Sequence, residues 1–266
     1  MTPVALTIAG SDPSGGAGLQ ADLKTFHQFG CYGMSVVTLI TVQNTVAVEA
    51  VELLDPELVR RQLEAVVSDI PPGAAKTGAL GSAGIIRVVA EWARESAVPL
   101  VVDPVMISKH GAELLADDAR RALAEELLPH CALVTPNAPE AARLTGLVVE
   151  DRAGMQAAAR RLLEMGAAAA LVKGGHVAGD EAADLLLSPS GAVWLTAPRV
   201  DTRHTHGTGC TTAAAVAAGL AQGLALEAAV RRAKAFVTEA IRQAPGLGRG
   251  SGPLHFFADF PDAEVG

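Results

Sequence analysis

Residues 203–212 read RHTHGTGCTT and run into an alanine-rich segment. Gly207-Thr208-Gly209-Cys210 brings two glycines, a hydroxyl and a thiol together at the predicted start of a helix. Such a start leaves backbone N–H groups without intrahelical partners, and the helix dipole adds partial positive charge. An anion, above all a phosphate, is well received there. The glycines let the backbone approach a ligand without Cβ interference. A helix N-terminus also lowers a thiol pKa from its reference of about 8.5, which would make Cys210 a usable base or hydrogen-bond partner. The competing reading is that Gly-Thr-Gly caps a buried helix and Cys210 is a small core residue.

The rest of the composition frames that stretch. A chain of 266 residues can bury a sizeable core, and with 50% apolar residues but only 3% aromatics that core must be built from alanine, valine and leucine. A formal net charge of −8 argues against nucleic acid as partner, because phosphate-backbone binding needs a basic face and no basic run supplies one. Among 21 basic residues only Lys24, Lys76, Lys109, Lys173 and Lys234 are lysines, so those in glycine-rich settings stand out. Three widely spaced cysteines, Cys31, Cys131 and Cys210, suit a reducing compartment better than a disulfide framework. His204, His206 and Cys210 lack a second cluster that would complete a metal site. The N-terminal run is too short for a signal peptide, and Gln222, Gly223 and Glu227 interrupt the apolar segment 211–230. The reading is a cytoplasmic protein without a membrane span.

Along the chain, strand and helix patterns alternate. Residues 4–9 predict a strand, GSDPSGGAG (10–18) a loop, and residues 19–29 a helix. Within this opening, Gly16 to Ala21 formally matches the dinucleotide fingerprint G-x-G-x-x-A, the motif of an NAD- or FAD-dependent oxidoreductase. The acidic residue that the fingerprint wants about 20 positions later is missing, since the strand at 35–42 ends in Gln43-Asn44. The Walker A pattern is absent. Helices are predicted at 56–70, 83–94, 114–128, 156–165 and 226–243, with strands at 74–78, 99–106, 132–135 and 167–173. Residues 183–187 and 192–195 read as a hairpin with Trp194 inward.

Several polar residues fall at strand ends, where open α/β sheets place their ligands. Asp103 ends one such strand and is followed by Lys109-His110-Gly111; Lys173-Gly174-Gly175-His176 ends another and offers a phosphate contact. Asn137 and Glu140, three apart in a first helical turn, either converge on a metal-bound water or cap the turn themselves. With no long linker and no repeat, the chain reads as one α/β domain over 1–266.

These elements point to a phosphotransferase without a P-loop. AGSDPSGGAGLQADLKTF (9–26), TVQNT (41–45), KTG (76–78), DPVM (103–106), PNAPEA (136–141), KGGH (173–176), HGTGCT (206–211) and GPLH (252–255) together resemble the hydroxymethylpyrimidine/phosphomethylpyrimidine kinase family of thiamine biosynthesis. The resemblance implies a three-layer ribokinase-like fold, with a central mostly parallel sheet flanked by helices. It also implies phosphoryl transfer from ATP with Mg2+ to 4-amino-5-hydroxymethyl-2-methylpyrimidine and then to its monophosphate. By that similarity Gln43 binds the pyrimidine, with Gly10, Ala17 and Asp22 lining its pocket. Asn137 and Glu140 stand near magnesium; Lys173 and Asp103 face the nucleotide phosphates. The amides of Gly207, Thr208, Gly209 and Cys210 form the anion hole, with Cys210 beside the attacking hydroxyl. A homodimer is inherited from the same resemblance. Most ribokinase-like sugar kinases carry aspartate where Cys210 stands. Many relatives carry methionine where this chain has Ala79, so the ring pocket is expected to be wider. That width keeps a pyridoxine or pyridoxal kinase as the nearest alternative. A non-catalytic ligand-binding protein of the same fold and a dinucleotide-dependent oxidoreductase are the outside readings.

Overall fold

The computed structural model describes residues 2–106, 115–177, 179 and 181–260; Lys109-His110-Gly111 lie outside the described residues. The strands are β1 (Val4–Ser11), β2 (Tyr32–Gln43), β3 (Val48–Leu53), β4 (Ala74–Thr77), β5 (Leu100–Val102), β6 (Leu133–Val134), β7 (Ala170–Val172), β8 (Glu181–Ser188) and β9 (Gly191–Pro198). The helices are α1 (Gly18–Gln28), α2 (Pro56–Asp69), α3 (Ala83–Glu95), α4 (Asp117–Ala122), α5 (Ala138–Thr145), α6 (Arg152–Glu164), α7 (Thr208–Ala221) and α8 (Leu226–Arg242). The strands form one sheet in the order β3-β2-β1-β4-β5-β6-β7-β8-β9. The run from β2 to β7 is parallel, and β3, β8 and β9 add antiparallel edges.

Burial on both faces explains why the central strands are apolar throughout. Val101, Leu133 and Leu171 turn to the layer of α1, α7 and α8, and their neighbours Val102, Val134 and Val172 turn to the layer of α2, α3 and α6. That is the period-two alternation of a strand, with both sides covered. Ala213 to Ala218 are fully buried in α7, because small side chains let this helix lie close to both sheet and α8.

Three details differ from the sequence reading. β3 was not foreseen: its acidic positions lie on an exposed edge, so VEAVEL carries no buried apolar run. The helix expected at 114–128 is divided into α4, a π-helical turn at Leu123–Leu127 and a 3₁₀ turn at Leu128–His130, with Pro129 in that last turn. Trp194 is only half-buried, and the Arg152 guanidinium lies over its ring at 4.8 Å.

The chain runs from β1 to β2 on one side and later to β4 on the other, so a topological switch point lies beside β1. Ligand crevices form outside the carboxyl ends of strands at such a point. Gly10-Ser11-Asp12, Gln43, Ala79, Asp103, Asn137 and Lys173 all lie at or just after the C-terminal ends of parallel strands.

Candidate active site

A cavity of about 440 Å³ opens at this crevice, and Gly10, Ala17, Gln43, Asp103, Asn137, Glu140, Lys173 and the whole of Gly207 to Cys210 line it. Asp22 does not. It is fully buried beneath the cavity floor, where its Oδ2 accepts hydrogen bonds from Thr7 Oγ1 at 2.6 Å and Lys76 Nζ at 2.8 Å. The assignment of Asp22 to the pocket wall is therefore corrected: one turn into α1, its side chain points inward toward β1 and β4.

The first glycine-rich loop is organised by Asp12. Its carboxylate accepts from the amides of Ser14, Gly16 and Ala17 and from Ser14 Oγ, and His206 Nε2 lies 2.8 Å from Oδ2. This explains why the dinucleotide fingerprint fails here, since a side chain of the loop itself takes the Gly16 and Ala17 amides. Burial pushes the Asp12 carboxyl up, but hydrogen bonds with His206, Ser14 and Gln43 outweigh it and hold the group well below the usual carboxylate range. His206 and Gln43 also lie 3.5 Å apart through their Nε2 atoms, so one carboxylate ties three segments together. A carboxyl depressed in the folded state contributes stability above its unfolded pKa of about 4, and that contribution is lost as pH falls through the folded value. Asp12→Asn should therefore cost roughly 2–3 kcal/mol near pH 7 and progressively less below pH 4. Thermal melts at both pH values read this directly; an equal loss at both would show that the carboxylate charge is not what matters.

The second glycine-rich segment begins α7. Gly207 has φ +82°, and a Cβ there would overlap the Gly16 carbonyl oxygen, so glycine is required twice over. A Cβ on Gly209 would stand 3.1 Å from Lys173 Nζ and 3.5 Å from Asp103 Oδ2. This close approach brings the α7 N-terminus onto the Lys173–Asp103 ion pair, itself 3.1 Å long. The backbone of His206 bonds to Gly252, which uses the GPLH tail to hold the segment from behind.

The pKa of Cys210 moves opposite to the sequence expectation. Burial pushes the thiol up to about 11; Lys76 and the Gly18 amide oppose that shift, while Asp22 and Asp103 add to it. The helix-start argument counted the favourable dipole but not the desolvation, nor the two carboxylates that other elements bring near.

Asn137 and Glu140 form a complete capping box: Asn137 Oδ1 accepts from the Glu140 amide at 2.9 Å, and Glu140 Oε2 accepts from the Asn137 amide at 2.8 Å. Both capping and pocket lining are therefore realised by the same pair. Burial pushes the Glu140 carboxyl up to about 7; Lys173 opposes this and Asp103 reinforces it. Lys173 is itself held above its ordinary pKa, because Asp103 and Glu140 outweigh its own burial. A magnesium ion carried by a nucleotide is commonly held by one or two carboxylates together with phosphates and water. The Glu140 carboxylate, with Asn137 beside it on the wall of a phosphate-type site, fits that donor chemistry.

A second cavity of about 250 Å³ adjoins the first and shares Asn137, Lys173, His176, Thr205, Thr208 and Gly209 with it. Its far wall is apolar, with Val230, Val237 and Ile241 of α8 and Leu195 of β9, together with Lys234 and Thr238. Sequence reading missed this wall, because residues on an amphipathic helix carry no motif. It also gave no role to Asp12, weighed His206 only as a metal ligand rather than as the partner of Asp12, and passed over the pairing of Lys76 with Asp22.

The sequence profile of the family described as phosphomethylpyrimidine kinase matches residues 12–255. The chain belongs to the phosphomethylpyrimidine kinase family. A hydroxymethylpyrimidine/phosphomethylpyrimidine kinase from Streptomyces coelicolor is 51% identical over 95% of this chain and 93% of its own length. A phosphomethylpyrimidine kinase from Clostridium difficile superimposes with a TM-score of 0.78 at 43% identity, covering 89% of this chain and 98% of its own. Pyridoxal kinase from Bacillus subtilis, solved with ADP, gives a TM-score of 0.90 at 36% identity over 97% and 98% of the two chains. The three-layer, mostly parallel ribokinase-like fold is thus established for this family member. Among the described residues no helix is long and apolar enough to cross a membrane, and no cluster of three or more His, Cys, Asp or Glu side chains is arranged to hold a metal.

Proposed function

We propose that this family member transfers the γ-phosphoryl group of ATP to a hydroxymethylpyrimidine and then to its monophosphate, as the names of its relatives indicate. One observation carries the reading: two cavities of different character meet at the N-terminus of α7, and Lys173, Thr208 and Gly209 belong to both. The acceptor ring occupies the first cavity, where the Gln43 amide offers both donor and acceptor to an aminopyrimidine edge. The nucleotide lies along the second, with its base against the α8 wall and its phosphates toward Lys173. Backbone amides of Gly207 to Cys210 stabilise the transferring group, and positioning with charge stabilisation supplies most of the catalysis.

As the hydroxyl oxygen bonds to phosphorus, the bond to the bridging oxygen breaks and leaves its electron pair on ADP. The hydroxyl proton passes to Cys210 in its thiolate form, which becomes the neutral thiol. Magnesium, held through Asn137, Glu140 and the phosphates, would neutralise charge that develops on the leaving group. Gln43, Gly10 and Ala17 orient the ring. Asp103 fixes Lys173 in place rather than touching phosphate first, since its Oδ1 accepts from Lys173 Nζ.

A coupled ATP-consumption assay with hydroxymethylpyrimidine, its monophosphate, pyridoxal and pyridoxine tests this reading. Turnover of both pyrimidines is expected; turnover of pyridoxal alone would replace it with the second reading, a pyridoxal kinase. That second reading is favoured by the pyridoxal kinase neighbour and by Ala79, a small residue on the cavity wall. Ala79→Met should raise the KM for pyridoxal about tenfold and that for hydroxymethylpyrimidine less than about threefold, the discrimination that a few methylenes supply. Equal changes for both rings would place Ala79 away from the ring.

The edge ribbon of β2 and β3 exposes Tyr32, Ile40, Val42, Val46 and Leu53, each between 45% and 55% accessible. Ile40 and Val42, on the face of β2 opposite the one that Leu39, Thr41 and Gln43 turn to the first cavity, fit a second copy of the chain, and a cytoplasmic homodimer is the proposed form. Sedimentation equilibrium should give twice the chain mass, and Ile40→Asp should shift it toward the monomer.

A further inference from the structure

The glycine-rich segment from Gly246 to Pro253 takes no part in phosphoryl transfer as described. Its downstream end is fixed: Leu254 and Ala258 are buried in the layer of α7 and α8, and the His255 amide donates to the Ala240 carbonyl of α8 at 3.0 Å. From that anchor the segment runs across two parts of the site. The first is the turn after β2, where the Ser251 amide donates to the Thr45 carbonyl at 2.9 Å and the Gly250 amide to Thr45 Oγ1 at 3.3 Å. A Cβ on Gly250 would overlap that same Thr45 carbonyl oxygen, so glycine is what lets the two backbones touch. This turn carries Gln43 at its start, and Asn44 Oδ1 locks it by accepting the Val46 amide at 2.8 Å and the Ala47 amide at 3.1 Å. The second part is the segment that enters α7. Ser251 Oγ donates to the Arg203 carbonyl at 2.9 Å, and the Gly252 carbonyl accepts the His206 amide at 3.1 Å, just before Gly207. A Cβ on Gly252 would overlap the His204 ring, so this approach also needs glycine. Ser251 therefore reaches both sides, its amide to Thr45 and its hydroxyl to Arg203.

We infer that Gly250-Ser251-Gly252 is a positioning strap for the acceptor: it holds the turn that carries Gln43 and the segment that carries the α7 anion hole at one spacing, and so sets the distance from the attacking oxygen to the transferring phosphoryl group. The inference rests on the reading of Gln43 as the ring contact and of Gly207 to Cys210 as the anion hole. Gly250, Ser251 and Gly252 line neither cavity, so they act through the backbone they hold. On the cavity side Gln43 and His206 meet through side chains, which can change rotamer. On the outer side the strap joins the same two segments largely through main-chain bonds, which fix the main chain itself. With the ring held from the end of β2 and the phosphoryl group from the start of α7, the reaction depends on their spacing, and an error of about 1 Å can cost about 10² in rate.

Two variants of the full-length chain test this. Gly250 does not have a positive φ, so Gly250→Ala acts through the clash with Thr45 alone. Thr45→Val combined with Ser251→Ala removes one side-chain hydrogen bond at each end of the strap without adding bulk. Steady-state kinetics with hydroxymethylpyrimidine should show kcat lowered at least about tenfold in Gly250→Ala and about fivefold in the combined variant. The KM values for the alcohol and for ATP should both stay within about threefold, because each part is still bound and only their relative placement is lost. Amide hydrogen exchange, followed by mass spectrometry, should rise at least about threefold at 43–47 and at 203–207 together in both variants, with α2 and β9 unchanged. A merely stabilising role would raise the KM for ATP as well, or speed exchange in α2 and β9, and either result overturns the strap. So does an alcohol kcat within about twofold of the unmodified chain in both variants, or exchange that rises at one end only. If Gly250→Ala does not fold, the combined variant decides, because an unchanged alcohol kcat there is enough to reject the inference. If the unmodified chain phosphorylates pyridoxal instead, the same kinetics are run with pyridoxal. If it turns over no acceptor, the reading of the function has failed, and the exchange at the two ends still supports or rejects the strap by itself.

Discussion

Replacing Cys210 with alanine is expected to slow phosphorylation of the hydroxymethyl alcohol by about 10²- to 10³-fold, the range of a positioned general base, and to slow phosphorylation of the monophosphate less than about tenfold. The two acceptors differ in what they ask of the sulfur. A primary alcohol must lose its proton during attack, whereas a phosphate monoester with a second pKa of about 6 is already mostly ionised at neutral pH. With the thiol pushed up to about 11 in the free protein, only a small fraction is thiolate at pH 7. The rate with the alcohol should therefore rise with pH between 7 and 9, and that slope should vanish in Cys210→Ala. Steady-state kcat with each acceptor across this range provides the comparison. Equal losses with both acceptors would mean that Cys210 acts by packing or by holding the anion hole, not as a base.

Lys173→Ala is expected to lower kcat with both acceptors alike, by about 10³-fold, as for the loss of a preorganised charge at a developing oxyanion. The lysine borders both cavities and takes Asp103 at 3.1 Å, and its backbone bridges to Asn137, so it is fixed from two directions. Without its ammonium, Asp103 and Glu140 face each other across the phosphate site without a fixed cation between them. Lys173→Arg should recover less than a tenth of the lost rate, because the ammonium stands only 3.1 Å from where a Cβ on Gly209 would be, and a larger planar head has no room there. Wild-type kcat in Lys173→Ala would remove the lysine from the reaction altogether. A loss confined to the KM for ATP would make it a ground-state binding contact.

Much of the site was legible because its residues stand in short motifs at the ends of strands. Asp103, Asn137, Glu140, Lys173 and Gly207 to Cys210 stood out from their place in the chain, Gly10, Ala17 and Gln43 only through the family resemblance, and all of them line one cavity. Asp22 was misplaced: its motif is real, but the inward turn of α1 gives the carboxylate to Lys76 instead of the pocket. Asn137 and Glu140 carried two readings from spacing alone, and the capping box shows that capping does not remove them from the cavity wall. The second cavity was illegible, since Val230, Val237 and Ile241 have the helical spacing of ordinary core positions.

By itself the sequence determined the alternation of strands and helices, the apolar core that both sheet faces require, and the two glycine-rich loops. These follow from local physics: period-two and period-3.6 burial, and backbone positions where a Cβ would clash. Only the tertiary structure decided the electrostatics. A thiol at a helix start should ionise more easily, yet burial, with Asp22 from α1 and Asp103 from the end of β5, drives Cys210 up to about 11. Desolvation and charges from other elements depend on what the fold brings together across long separations in sequence, and no local pattern encodes them.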